Sequence, residues 1–372
     1  MSHSGARGPV RLILLAPPWY EVPPAGYGGI EEMLAELCDQ LIGFGHDVTL
    51  VGAGRSATGA RSHSTYDKPQ GERIGESVVE VAHAAAAQRV IEELRPDLVH
   101  DHTLAGPLAA PARPVPTLVT AHGPVNQDYA MYYGSLGSAI GLAAISHAQR
   151  RTAPELPWVA TVHNAVALHR YTCRSRREKE DYALVLGRCT PDKGIDTAIL
   201  AARAAGRRTV LALKCSERGE QDYFDAAIRP LLGPDVDYVG EASAEEKTEL
   251  LGRAGCLLFP VRWEEPFGMV AIEAMACGTP VVAFRRGALP ETVVDGVTGV
   301  LADREAELPA AVDTAMELDP GTCREHVCRN FTGETMARGY ERAYLSFLDR
   351  VRDPVEHGPH EHAGRPASLS RP

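Results

Sequence analysis

No stretch of about 18 consecutive apolar residues occurs in this 372-residue chain, so a membrane-spanning helix is not expected. The apolar run at residues 10–16 is too short for a signal-peptide core followed by a cleavage site, and it reads as a first strand. The expected location is therefore the cytoplasm. The eight cysteines (Cys38, Cys173, Cys189, Cys215, Cys256, Cys277, Cys323 and Cys328) contain no C-x-x-C pair. That argues against a disulfide framework, and most of them read as small buried apolar residues. Cys323 and Cys328 have no second ligand pair at a zinc-like spacing, so no metal site is expected there. Positive charge is also short, with 38 Lys and Arg against 49 Asp and Glu for a net charge of −11. Such a balance argues against nucleic acid or an anionic membrane as a partner. No G-x-G-x-x-G follows the first strand, which leaves a dehydrogenase reading without support.

What the chain does have is a repeated alternation of short apolar runs with amphipathic stretches. Residues 10–16, 47–52, 98–100 and 117–120 read as strands, and residues 31–44 and 77–94 as helices, the first closed by Gly45. Residues 53–75, rich in Gly, Ser, Thr and charge, read as a long loop. A second series begins near residue 181, with strands at 182–186, 209–212, 238–240, 256–260 and 280–284 and helices at 195–205 and 245–253. Strands alternating with helices imply parallel sheets built from βαβ units. The expected organisation is a first Rossmann-like domain over residues 1–170, a basic linker at 171–180 and a second Rossmann-like domain at 181–332. An amphipathic helix at 333–352 and a disordered tail at 353–372 follow. His357, His360 and His362 in the tail read as a solvated tract rather than a metal site.

The segment from Trp263 to Val282 reads as loop, helix and strand, with Glu265 before the helix and Glu273 inside it. Phe267, Gly268 and Met269 open that helix, so their backbone N–H groups are open to an anion; the alternative is an ordinary turn before a core helix. Arg188 and Lys193, five positions apart on the loop after a strand, could neutralise a diphosphate or simply be solvated. Glu273, among apolar neighbours, lies either on a solvated stripe or against a ligand hydroxyl. Free amides and cations for phosphate, with carboxylates for hydroxyls, suit a nucleotide sugar.

These segments resemble the retaining glycosyltransferases of family 4, a GT-B group. Trp263 to Val300 is similar to the family's E-x7-E region, and Leu186 to Gly194 to its G-R-x-x-x-x-K-G loop. Tyr27-Gly28-Gly29-Ile30-Glu31 resembles its N-terminal Gly-Gly loop. The resemblance implies an α/β protein of GT-B fold, two Rossmann-like doubly wound domains facing a cleft, with the C-terminal helix packed back on the first. It implies a metal-independent hexosyl- or pentosyltransferase with a nucleoside-diphosphate sugar, most simply a UDP-sugar, as co-substrate and no cofactor. The expected acceptor is a small molecule or glycan. Arg188 and Lys193 would hold the diphosphate in place of a metal ion, and Glu265 would bind hydroxyls of the sugar. Phe267, Gly268 and Met269 would present amides, Glu273 would bind the ribose, and Glu241 would lie near the base. Gly28 and Gly29 would approach the diphosphate from the facing domain, and His122 would stand beside the reacting sugar. Asp101 and His102 are expected to shape the acceptor side with the Pro-rich loop 17–24, whereas Asn164, Ser146 and Gln149 match family positions read as structural. The alternatives are a nucleotide-sugar-binding protein without turnover and a GT-B sugar-nucleotide epimerase.

Overall fold

The computed structural model describes residues 8–26 and 28–352; Tyr27, the His357/His360/His362 tract and the rest of the tail lie outside the described residues. Two parallel sheets carry the fold. The first has β1 (Arg11–Leu15), β2 (Asp47–Gly52), β3 (Arg61–Ser64), β4 (Leu98–Asp101), β5 (Thr117–Ala121), β6 (Ile140–Ala144) and β7 (Trp158–Thr161). Their spatial order is β3-β2-β1-β4-β5-β6-β7. The second has β8 (Tyr182–Arg188), β9 (Arg208–Lys214), β10 (Val236–Gly240), β11 (Cys256–Phe259), β12 (Val281–Phe284) and β13 (Gly299–Ala302), ordered β10-β9-β8-β11-β12-β13. Both sheets therefore reverse their winding once, between β1 and β4 and between β8 and β11. Crevices at such reversals, beyond the carboxyl ends of the strands, are where open parallel sheets bind ligands.

The buried strands are near-continuous Val, Leu, Ile and Ala runs because helices cover both faces. β3 is the exception and corrects the expectation of a long loop at 53–75. Arg61–Ser64 pairs in parallel with β2 from Thr49↔Arg61 to Gly52↔Ser64, but it lies at the sheet edge and is mostly exposed, so its sequence carries no apolar period.

The last helix, Gly333–Arg352, buries Met336, Tyr340, Tyr344 and Phe347 in the same core cluster as Leu12, Leu118 and Val162 of the first half. Two of its hydroxyls reach under the first sheet: Tyr344 Oη is 2.7 Å from His100 Nδ1 and Tyr340 Oη 3.0 Å from Thr120 Oγ1. The basic segment before β8 is firmly anchored. Lys179 Nζ donates to Gly252 O (2.8 Å), Cys277 O (3.1 Å) and Thr279 Oγ1 (2.5 Å), a cation set at the ends of the helices Ala244–Arg253 and Met269–Ala276. Burial pulls its pKa down to about 8.

Four imidazoles, three of them enclosed and His122 partly so, are held as neutral groups. Burial lowers His83 and His122 to about 4 and holds His100 and His102 well below the usual range. In the unfolded chain each titrates near pH ~6.5. Below that pH the unfolded state takes up protons that the fold refuses, so this stability is present above ~6.5 and drains away as pH falls toward 4. Glu31 opposes the trend, because burial raises its carboxyl to about 7 and its penalty grows as pH rises from ~4.5. Burial also raises the carboxyls of Glu80 and Asp101, which act in the same sense as Glu31, but four imidazoles outnumber three carboxyls, so the melting temperature should climb between pH ~4.5 and ~6.5. Glu31→Gln should add more stability at pH 8 than at pH 5. A melting temperature that is flat or falls across the lower window would contradict the neutral-imidazole reading.

Candidate functional site

The loops after β8 and β11 flank the winding reversal of the second sheet, and the sequence-predicted cations and motif helix meet there. Arg188 closes β8. Its Nε donates to Glu220 Oε1 at 2.7 Å and its Nη2 to Glu217 Oε1 at 2.8 Å. Glu220, nearly fully buried, also accepts from the backbone N–H groups of Ser216 and Glu217. Burial works against its charge, yet these hydrogen bonds hold the carboxyl below its ordinary range. The guanidinium is thus oriented by two carboxylates that no local motif announced. The loop continues to Lys193 and Gly194. A Cβ on Gly194, at φ +66°, would lie 2.2 Å from Pro260 O, so glycine is what lets this loop press against the end of β11.

Lys193 Nζ lies 3.1 Å from Glu265 Oε2 and over the rings of Trp263 (5.0 Å) and Phe259 (5.5 Å). Trp263 Nε1 donates to the same Glu265 oxygen at 3.0 Å. Glu265 is thereby fixed by a cation and an indole, and the loop behind it is held by Ala288 N–H donating to Glu265 O at 2.9 Å. Gly268, at φ +86°, then turns the chain into the helix Met269–Ala276. The amides of residues 267–270 have no acceptor among the described residues, leaving a run of donors at the positive end of the helix. Phe267 itself is buried between His163 and Phe331, with ring centroids 5.8 and 6.0 Å away.

One turn further in, Glu273 is 5% exposed. Its Oε1 accepts from Lys247 Nζ at 3.0 Å and from Tyr171 Oη at 3.2 Å. This excludes the solvated-stripe alternative. Lys247, from the helix Ala244–Arg253, was not singled out by the sequence, since one Lys on a charged amphipathic helix gives no signal.

The first domain faces this assembly. A Cβ on Gly29 would lie 4.0 Å from Met269 Cγ, so the Gly28-Gly29 turn and the start of the motif helix meet across the cleft. Tyr20, from the Pro-rich loop, has its pKa raised first by burial and then by Glu31, Glu241 and Glu217, with Arg188 working the other way, which puts it between the two halves. Glu241 is exposed, on the loop after β10. His122, partly exposed, follows β5, and Gln149 Nε2 holds the backbone on either side of it through Ala121 O and Gly123 O, both at 2.7 Å. Ser146 caps the helix that carries Gln149. Two expectations need correction. Asp101 does not shape an acceptor surface: it is wholly enclosed, bonded to Thr103 and paired with buried Arg113. His102 is likewise buried, 4% exposed, and meets His122 rather than the cleft. Asn164 is buried with Oδ1 unpaired among the described residues.

The cysteines are all free, with Cys323 buried and Cys328 exposed. No group of three or more His, Cys, Asp or Glu side chains among the described residues could hold a metal ion. No helix among them is long and apolar enough to cross a membrane.

Residues 27–183 match the family model for Glycosyltransferase Family 4, and residues 174–330 match the one for Glycosyl transferases group 1. The chain is 27% identical to the glycogen synthase of Mycobacterium tuberculosis, across 93% of this chain and 97% of that protein. AviGT4, a glycosyltransferase involved in avilamycin A biosynthesis, superposes with a TM-score of 0.70 at 27% identity, over 92% of this chain and 98% of its own. Anabaena HepE in complex with UDP-glucose superposes with a TM-score of 0.70 over 91% of this chain and 100% of its own. At 18% identity that last likeness concerns the fold alone. With both halves matched in order and both sheets wound alike, the chain belongs to the family 4 glycosyltransferases and has the GT-B fold.

Proposed function

We propose that this glycosyltransferase moves a sugar from a nucleoside-diphosphate sugar, with retention and without a metal ion, to a hydroxyl of a small-molecule or glycan acceptor. The observation that carries the reading is the convergence of Arg188, Lys193 and the open amides of residues 267–270 at one sheet reversal, facing Gly28 and Gly29. Cations and helix amides at that position suit a diphosphate. UDP is the nucleotide proposed, in line with the UDP-glucose held by HepE.

Departure of the nucleoside diphosphate builds negative charge on its β-phosphate. Arg188, braced by Glu217 and Glu220, and Lys193 are placed to stabilise that charge more in the transition state than in the ground state. Glu273, with Lys247 and Tyr171 behind it, is assigned to the ribose hydroxyls. Glu265 is assigned to hydroxyls of the transferred sugar. A double displacement would ask one carboxylate to act as nucleophile. Glu265 is instead read as a positioning group, since its Oε2 is already committed to Lys193 and Trp263. The route proposed is a front-face displacement in which the departing phosphate receives the acceptor proton.

Thermal shifts with UDP, GDP, ADP and dTDP, each with and without EDTA, test the donor site. A nucleotide at 100 times its dissociation constant stabilises by about 2.7 kcal/mol. UDP should give the largest shift, EDTA should not remove it, and Lys193→Ala should. A shift that requires a divalent ion, or none with any nucleotide, would overturn the assignment. In steady-state assays with the matching donor sugar, Lys193→Ala should lower kcat by about 10²–10³, the usual cost of losing one preorganised donor to a developing anion. A change confined to KM would show instead that Lys193 binds ground and transition states alike.

A further inference from the structure

Three imidazoles lie together beneath the carboxyl edge of the first sheet. His100 is saturated, with Tyr344 Oη at one nitrogen and Thr120 Oγ1 at the other, both at 2.7 Å. His102 lies against it at a 50° tilt, with ring centroids 3.9 Å apart, and places its Nδ1 2.9 Å from His122 Nε2. Its own Nε2 is buried without a hydrogen-bond partner among the described residues. His122 therefore has only Nδ1 left to offer, and Gln149 fixes the loop that aims it.

One proton lies between His102 and His122, and both rings are kept neutral by burial. If His122 donates it, the proton of His102 sits on Nε2, and a buried N–H is left without an acceptor. If His102 donates it, Nε2 carries only a bare lone pair, and the proton of His122 is forced onto Nδ1. Orphaned buried donors are rarer than under-used acceptors, and leaving one unmade costs its full desolvation. We propose that His102 is a positioning residue that locks His122 in its Nδ1–H tautomer, so that His122 offers the cleft a hydrogen-bond donor rather than a base. The functional half of this inference rests on the proposed sugar site beside His122; the tautomer half stands on the local geometry alone. A ring locked as a donor can bind an oxygen of the sugar but cannot take the acceptor's proton, which leaves that proton to the departing phosphate.

The test is a long-range proton–nitrogen spectrum of protein labelled with ¹⁵N-histidine, with His122 assigned by its loss in His122→Gln. The expected pattern for His122 is Nδ1 protonated and Nε2 bare. His102→Leu removes the donor and should let His122 move toward the Nε2–H form that free imidazole side chains favour. His102→Asn, whose amide N–H overlies the lost Nδ1–H, should restore the wild-type pattern. With a sugar of the nucleotide that the panel selects as donor, turnover measured as donor hydrolysis should fall on the order of 10-fold in kcat for His102→Leu, as for other orienting partners. KM should change little, and the Asn variant should recover the rate. An Nε2–H tautomer of His122 in the wild type, or one unmoved by His102→Leu, overturns the lock. A shifted tautomer with unchanged kcat overturns the positioning role. Should the Leu variant not fold, the wild-type spectrum and the Asn variant decide the matter. Failure of every nucleotide to bind would instead strike the donor site and leave the tautomer assignment standing.

Discussion

The arrangement of the two halves depends on one partly buried set of charges where the chain crosses between them. Tyr171 Oη donates toward Glu32 of the first half and Glu273 of the motif helix, each at 3.2 Å. Lys247 Nζ stands 3.0 Å from Glu273 and 3.9 Å from Glu32, and Arg170 reaches Glu32 at 3.2 Å. Burial favours a neutral lysine, but Glu273 and Glu32 outweigh it and raise the Lys247 pKa. A carboxylate as enclosed as Glu273 is tolerable only with its partners in place. Sliding either half along the other would strand at least one carboxylate. The network therefore sets the register in which Gly29 meets Met269. Arg324 adds to it by donating to Leu168 O, Tyr171 O and Ala276 O, tying the crossover segment to the end of the motif helix.

Much of the fold was legible because buried parallel strands are written as short apolar runs. β6, β7 and β13 were passed over, while β1, β2, β4 and β5 and, in the second sheet, β8 to β12 were expected within a few residues of their observed bounds. β3 was not, because an exposed edge strand needs no apolar face. The site divided along similar lines. Arg188, Lys193, Glu265 and the helix opening sit on contiguous motifs, and the sequence brings them to the ends of neighbouring strands. Trp263, which holds Glu265, lies on the same motif, but the other groups that hold them are scattered: Glu220 for Arg188, Lys247 for Glu273 and Gln149 for the His122 loop. Such partners are chosen by sheet order and helix packing, which local spacing does not encode. Asp101 went astray for the same reason, since only the fold reveals that Arg113 encloses it.

Charge is divided unevenly across the cleft. The second half contributes the ions, namely Arg188, Lys193 and Glu265, each in a compensated pair. The first half contributes less charge, and at neutral pH Glu31 is the one group of its turn that is partly ionised. His122 is uncharged, Gly28 and Gly29 carry no side chain, and Glu31 at the same turn is raised by burial to about 7. A wall without compensating charge leaves the local dielectric low, and a low dielectric strengthens each interaction between the facing cations and an anion between them. In the proposed reaction that anion grows on the leaving phosphate, on the charged side of the cleft. Were the neutral wall to ionise, its charge would compete with the leaving group for the same cations. The histidine cluster thus serves two ends in the proposed reaction: His100 joins the C-terminal helix to the first sheet through Tyr344, and the uncharged, partly exposed His122 adds no charge to the wall opposite the leaving phosphate.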